Sequence, residues 1–452
     1  MPKHLLAGDR DGTCMEPSRI EIHYELIESL KPDPENERKH SKKQLRQIAR
    51  SLDEFGFIIP VAIDPQKNIV CGHARVEAAK LLGLSEVPTV PIGHLSPEKL
   101  RAFRLADNKL ALNATWDERL LGEHLRVLSE FSLELVDVTG FDTPELDLLI
   151  EGVHPQADKD DEVPAPPPGP AVCQMGDVWV LGPHRIICGN ALDEKAYEAL
   201  MGEDRAAAVF TDPPYNVPIE GHASGLGAIH HREFAMACGE MDETAFTEFL
   251  ARACTLLARY SCDGSLHYIC IDWRHLRELL NAAHPIYSEL KNICSWAKDS
   301  PGMGSFYRSQ VEQVLVWKHG RAPHRNNVQL GKHGRNRSNF WSYPCARSFS
   351  RASDEGNLLG LHPTVKPVRL VADALLDSTA RGDIVLDAFL GSGTTLIAAE
   401  RVRRRCYALE IDPLYVDTAI RRWQAYTGEA AHHATTSRSF DETAASTLGD
   451  AK

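Results

Sequence analysis

Several things are missing from this 452-residue chain, and each absence removes a class of protein. No run of about 18 apolar residues is present, so a transmembrane helix is excluded and no membrane association is expected. The amino terminus, MPKHLLAGDRDGTCMEPSRI, lacks an apolar core followed by a small-residue cleavage site, so secretion is not expected. The eleven cysteines include no CxxC pair, which indicates neither a zinc knuckle nor another metal site nor a disulfide framework. Scattered thiols of this kind fit a cytoplasmic protein in which buried cysteine serves as a small hydrophobe. Positive charge is also short: 50 Lys and Arg against 63 Asp and Glu give a net −13. That excludes a protein coating nucleic acid along its whole surface, and leaves a local basic patch open. There is no internal repeat.

The length is about three times a usual domain of ~150 residues, so two or three domains are expected. The clearest boundary is residues 154–171, HPQADKDDEVPAPPPGPA, a charged run followed by five prolines in seven residues. Such a segment favours extended polyproline geometry and reads as a semi-rigid linker. From Gly428 to the end, Ala, Ser, Thr and acidic residues dominate, and a disordered tail over 428–452 is expected.

Residues 20–150 alternate helix and strand signals. Ser41 and Gln44 form a capping box ahead of Leu45, Ile48, Leu52 and Phe55, which share one helix face. Gly56 ends that helix, and FIIPVAI follows as a buried strand interrupted at Pro60. A strand NIV, the turn CGHAR, a helix RVEAAKLLG and a strand VPTVPI complete a small α/β module, with helices from Pro97 to Ile150. After the linker, VWVLGPHRIICGN reads as a hairpin turning at Gly182-Pro183. Strands are then predicted at 206–211, 265–270, 311–317, 383–389 and 406–411, alternating with helices at 242–260, 273–283, 366–379, 393–402 and 413–426. This alternation is that of a parallel sheet covered on both faces.

Two segments at the carboxyl ends of predicted strands carry chemistry, because ligands bind there in open α/β sheets. The first is Asp212-Pro213-Pro214-Tyr215-Asn216. Its prolines stiffen the backbone and have no N–H, so their carbonyls are free to accept. With the Asp212 carboxylate and the Tyr215 ring, this suits a planar group bearing an exocyclic amine. The second is VLDAFLGSGTTLIAAE, a strand, a glycine loop and a helix within residues 385–400. Gly391 and Gly393 permit close backbone approach, and Thr394 opens the helix. No GK[ST] follows, so this is not a phosphate-binding loop, and it is not the dinucleotide GxGxxG. Glu410, 17 residues after Gly393 at the next strand end, could accept from ribose hydroxyls. A nucleoside ligand without a diphosphate fits, as S-adenosylmethionine does.

Taken together, TDPPYN, DAFLGSGTT, HPTVKP (362–367) and ALEIDPLYVDTAIRR (408–422) resemble the amino-group DNA methyltransferases. The order, with DPPY ahead of the glycine loop, resembles their permuted β class. The resemblance implies an α/β, Rossmann-like S-adenosylmethionine-dependent methyltransferase sheet over 175–427. It places the target amine on Asp212 and the Pro213 carbonyl, beside Pro214, with Tyr215 stacked on a flipped base. It gives the cofactor Asp387, Phe389, Gly391, Ser392, Gly393, Thr394 and Glu410, with Thr364 and Lys366 bordering its methionine end. Asn190 stands where many relatives have Asp near the adenine. Aspartate at the head of the motif implies adenine N6, whereas relatives acting on cytosine N4 more often carry Ser.

Residues 301–351 hold nine Lys or Arg against the single acid Glu312, about +8 in a chain that elsewhere carries about −21. Interleaved Asn and aromatic residues suit base-edge and stacking contacts. Residues 300–361 are thus a candidate target-recognition insert, and Arg308, Lys318, Arg325, Lys332, Arg335 and Arg337 are candidate contacts to double-stranded DNA. Residues 68–90, with Gly72 and Arg75 in a Gly-x-x-Arg turn, resemble the ParB/sulfiredoxin-like domain, which implies a nucleotide at that turn. Gly72 stands where sulfiredoxins have their catalytic cysteine, so repair chemistry is not expected. The leading expectation is a site-specific adenine-N6 DNA methyltransferase acting by base flipping and direct displacement, with a homodimer, as in many relatives, left open by the sequence. The alternatives are cytosine-N4 methylation, a ParB-like DNA-binding regulator with a vestigial methylase, and methylation of RNA or a small molecule.

Overall fold

The computed structural model describes residues 21–34, 36–151, 159–161, 163, 169–217, 239–298, 301, 306–328, 337–344 and 365–450. The chain divides into two compact units, Met1–Asp142 and Thr143–Lys452.

The first unit contains β1 (His23–Leu26), α1 (Lys42–Phe55), β2 (Val61–Ile63), β3 (Ile69–Cys71), α2 (His73–Leu81), β4 (Glu86–Pro91), α3 (Pro97–Leu110), α4 (Glu118–Phe131) and α5 (Leu133–Asp137). Its four strands form one sheet in the order β1-β4-β2-β3. The predicted cap is present: the Gln44 N–H donates to Ser41 Oγ at 3.1 Å, and Gly56 closes α1 at φ 77°. The expected strand over FIIPVAI shrinks to β2. Pro60 has no N–H for the ladder, and Ile58 and Ile59 stand 73% and 62% exposed ahead of it.

The second unit begins with α6 (Thr143–Glu151), β5 (Val178–Leu181), β6 (His184–Cys188), α7 (Glu194–Met201) and β7 (Ala206–Thr211). It continues with α8 (Glu243–Arg259), β8 (Ser261–Ile271), α9 (Leu276–Ala283), β9 (Glu289–Ala297), β10 (Val311–Lys318) and β11 (Phe340–Ser342). The last elements are α10 (Val368–Ser378), β12 (Ile384–Asp387), α11 (Thr394–Arg401), β13 (Arg405–Glu410), α12 (Pro413–Thr427), β14 (His432–His433) and α13 (Phe440–Asp450). Ten strands form one sheet ordered β11-β9-β10-β8-β7-β12-β13-β6-β5-β14. The central strands β8, β7, β12, β13 and β6 are parallel, so their carboxyl ends share one edge. Alternate residues of β8 serve opposite cores: Tyr268 and Cys270 pack with α10 to α12, while Ile269 and Ile271 pack with α8 and α9.

Three expectations about domain organisation are corrected. The helix at 143–151 belongs with the second unit, because its buried Asp147 accepts from Arg381 and Arg404 there at 2.9–3.0 Å. Within the linker, Lys159–Asp161 form a turn held against this unit rather than free polyproline, and much of the proline run lies outside the described residues. The tail is structured through residue 450. Phe440 is fully buried with its ring 5.3 Å from Trp179, so one aromatic anchor offsets the polar composition around it.

Candidate active site

Sheet topology delivers the site. Asp212 follows β7 directly, and β12 beside it ends in Asp387. β10 runs antiparallel to β8, so its first residues lie at the same edge as the parallel carboxyl ends, and Glu312 arrives there from the opposite chain direction. β9 ends opposite the start of β10, which brings Lys298 to the same place. Lys366, just ahead of α10, completes the cluster.

These side chains form one buried network. Lys366 Nζ contacts Asp212 Oδ2 at 2.5 Å, Glu312 Oε2 at 3.0 Å and the Tyr215 hydroxyl at 3.1 Å. The Tyr215 hydroxyl donates to Asp212 Oδ1 at 2.5 Å, and Lys298 Nζ donates to Glu312 Oε1. The Lys366 ammonium also lies 5.5 Å from the centre of the Tyr215 ring and 5.8 Å from that of Trp296. Two cations and two anions balance. Burial raises the Asp212 carboxyl, and Lys366 opposes that rise. Burial also acts to raise Glu312, but the two lysines outweigh it and carry its carboxyl down to about 2. Burial alone would lower Lys366, yet Asp212 and Glu312 hold it above the ordinary lysine range. Glu312 and Lys366 are therefore ionised at neutral pH.

A second group lies alongside. Asp387 accepts from Thr211 Oγ1 at 2.9 Å and from the Phe389 N–H at 3.0 Å, and burial pushes it up to about 6. Glu410 accepts from the Gly391 N–H at 2.8 Å and the Asp412 N–H at 2.9 Å, one on each oxygen, and burial pushes it up to about 7. Each oxygen retains a lone pair for another donor. Gly393 has φ 92°, and a Cβ there would meet Ala419 at 3.0 Å, so the loop lies tight against α12 and only glycine fits. Phe389 is half-buried with its ring 6.0 Å from Phe249, and offers an aromatic face. Asn190, at the end of β6, caps a turn by accepting from the Leu192 N–H at 2.9 Å. An acidic diol acceptor and an aromatic face without phosphate-binding lysines fit a nucleoside-bearing cofactor.

The structure redistributes the remaining predicted residues. Lys366, expected at the cofactor's methionine end, has its ammonium on Asp212 and Glu312. Lys318 lies six residues along β10 from Glu312, about 20 Å towards the opposite edge of the sheet, and bonds the Gly320 carbonyl. Arg325 lies at that far edge too, 4.0 Å from Asp383 ahead of β12. Arg337 pairs with Asp377 at 3.0 Å and with Asp373 at 3.3 Å within the unit. Of the predicted basic contacts among the described residues, Arg308 alone leads into β10 at the catalytic edge. Beside it Phe306 and Tyr307 stand 86% and 81% exposed, with ring centres 4.5 Å apart. Thr364, Lys332 and Arg335 lie outside the described residues. Glu312 and Lys298 were not anticipated. The available signal was a lone acid in a basic segment, sited at the first positions of a strand.

Residues 206–421 match the family described as "DNA methylase" for N6 and N4 enzymes. Residues 16–109 match the ParB N-terminal domain, and 120–175 match the ParB-methyltransferase HTH domain. Residues 206–421 are thus an N6/N4 DNA methylase region, with a ParB N-terminal domain ahead of it. The chain is 26% identical over 256 residues to Type II methyltransferase M2.MboI of Moraxella bovis, covering 54% of this chain and 88% of that protein. It is 36% identical over 81 residues to the ParB-like nuclease domain-containing protein YnaK of Escherichia coli K12, covering 18% of this chain and 93% of that protein. Among solved structures, M1.HpyAVI in complex with SAM aligns at 20% identity and a TM-score of 0.37, over 53% of this chain and 98% of that one. DNA methylases of this family take their methyl group from S-adenosylmethionine, and DNA is the substrate. No helix among the described residues is long and apolar enough to cross a membrane.

Proposed function

We propose that this methylase transfers a methyl group to adenine N6 within a specific sequence of duplex DNA. The observation that carries the reading is a carboxylate, Asp212, set at a strand end between a hydroxyl and an ammonium, directly ahead of Pro213. S-adenosylmethionine, when bound, supplies an electrophilic methyl group on a sulfonium. Glu410 would hold its ribose, Phe389 would pack on its adenine, and the loop Gly391–Thr394 would shape the methionine end, with Asp387 beneath it.

The exocyclic amine of adenine is a poor nucleophile because its lone pair is delocalised into the ring. Asp212 and the Pro213 carbonyl accept its two N–H bonds, which favours a tetrahedral nitrogen and exposes the lone pair for direct displacement. No covalent enzyme intermediate is required. Cys270 is the buried thiol whose ionisation responds to Asp212, and burial raises it well above the ordinary thiol range, so it stays protonated. Tyr215 stacks on the base, which leaves the duplex at a cost of a few kcal/mol. Arg308 would hold a backbone phosphate at the mouth of the site, with Phe306 and Tyr307 stacking on exposed bases.

Replacing Asp212 with Ala tests the assignment. Methyl transfer to duplex DNA should fall by more than about a hundredfold while S-adenosylmethionine binding survives. Retained transfer would remove Asp212 from the chemistry. Cytosine N4 is the competing target, since its amine presents the same two N–H bonds. In the ParB domain, Arg75 folds back over Gly72, which has φ 107°, and its buried Nε has no hydrogen-bond partner among the described residues. We assign the phosphate of a nucleotide to that turn, to be checked by CTP binding to the full chain and to Arg75→Ala.

A further inference from the structure

Arg422 lies on α12 with 3% of its surface exposed, directly behind the loop given above to the cofactor. Its Nη1 donates to the Ser392 carbonyl at 3.1 Å and to Thr394 Oγ1 at 3.4 Å. Its Nη2 donates to the Asp160 carbonyl at 2.8 Å, in the acidic turn Lys159–Asp161 of the linker. One guanidinium therefore ties that turn to the cofactor loop.

The turn makes two further contacts. Asp160 Oδ2 pairs with Arg401 of α11 at 3.1 Å, and that side chain is itself 2% exposed. Asp161 Oδ1 accepts from the Val368 N–H at 2.7 Å, capping α10 two residues after Lys366. Burial pulls the Arg422 guanidinium down to about 10, and the charges opposing this are Asp161 and Asp160. A buried guanidinium stripped of its counter-charge is strongly unfavourable, so without the turn Arg422 would move, and the Ser392 carbonyl would lose its donor.

We propose that the Asp160–Asp161 turn is a positioning element for cofactor binding, acting through Arg422 to hold Ser392–Thr394 in the form that receives S-adenosylmethionine. The proposal rests on the reading of that loop as the cofactor site. The turn falls within residues 120–175, the stretch matching the ParB-methyltransferase HTH domain, so a segment of that match buttresses the methyl-donor pocket.

Asparagine at both positions removes the charges and keeps the shape, the Asp160 carbonyl and an acceptor for Val368. Equilibrium dialysis of radiolabelled S-adenosylmethionine against the full chain should give a Kd raised about tenfold in D160N/D161N. The kcat at saturating cofactor should change less than about threefold, because the Asp212 network is untouched. Arg422→Met alone should also cost about tenfold, and the triple variant about tenfold rather than a hundredfold, since one route carries both effects. Arg422→Met keeps the Asp160–Arg401 pair and strands no buried guanidinium, so it keeps the test open if D160N/D161N folds poorly. A wild-type Kd in D160N/D161N, or additive losses in the triple variant, would overturn the proposal. Absence of binding by the wild-type chain would instead overturn the cofactor reading on which it rests.

Discussion

Asp212 meets a donor on each oxygen, Tyr215 on one and Lys366 on the other, so its carboxylate is held in place before a base arrives. Glu312 shares the Lys366 ammonium, which leaves Asp212 only partly neutralised and still able to accept. Glu312→Gln should therefore let Lys366 pair with Asp212 alone and lower the single-turnover rate of methyl transfer by about tenfold to a hundredfold. Cofactor binding, measured by dialysis, should stay unchanged in that variant. An unaltered rate would show that the pair is structural. Glu410 gives a pH dependence whose sign follows from its charge state. Its carboxyl titrates near pH 7, and the ionised form accepts ribose hydroxyls. Affinity for S-adenosylmethionine should rise with pH through about 7 and level off above it. In Glu410→Gln that step should vanish, as read by binding across pH 5.5 to 8.5. The motif residues were legible because each stands in a short run with its own backbone logic. Lys298 and Glu312 were not, because their roles depend on which strands run antiparallel, and local pattern carries no such information.

At the scale of elements, the five strands predicted in the catalytic unit are present, together with their helices, since buried parallel strands and amphipathic helices write strong periodic signals. β9 was missed because polar Lys291 and Asn292 interrupt its apolar alternation near the sheet margin. The carboxyl-terminal segment was misread for a different reason. Its composition is that of a disordered tail, but Ala431 and Phe440 are fully buried, and Phe440 and His433 both pack edge-on against Trp179. Phe440→Ala should destabilise the catalytic unit by about 3 kcal/mol, read as a lower urea midpoint followed by tryptophan fluorescence. A midpoint within error of the wild type would mean that the contact contributes nothing. The same strand polarity that brings Glu312 to the site sends Lys318 to the far edge, which is why a basic stretch of sequence is not a basic patch in space.

Across the whole molecule, the excess of acid over base is interrupted by a segment of about +8, and the fold divides that segment between two edges of the sheet. Arg308 with its exposed aromatic neighbours remains at the catalytic edge, while half-buried Arg337 is paired with Asp377 and Asp373. Domain order was legible from the proline run, but the sequence read that run as a passive spacer, and the boundary falls earlier, at Asp142. The acidic turn ahead of the prolines accepts hydrogen bonds from Arg422 and Val368, which makes this part of the linker a working piece of the catalytic unit. Chemistry at Asp212 rests on an amine held by a carboxylate at the head of the motif, and the identity of the modified base tests it most directly. Duplex DNA of mixed sequence is incubated with the full chain and S-adenosylmethionine, digested to nucleosides and resolved by mass spectrometry. N6-methyldeoxyadenosine should appear with the wild type and be lost with Asp212→Ala, whereas N4-methyldeoxycytidine, or N6-methyldeoxyadenosine undiminished in the variant, would contradict it.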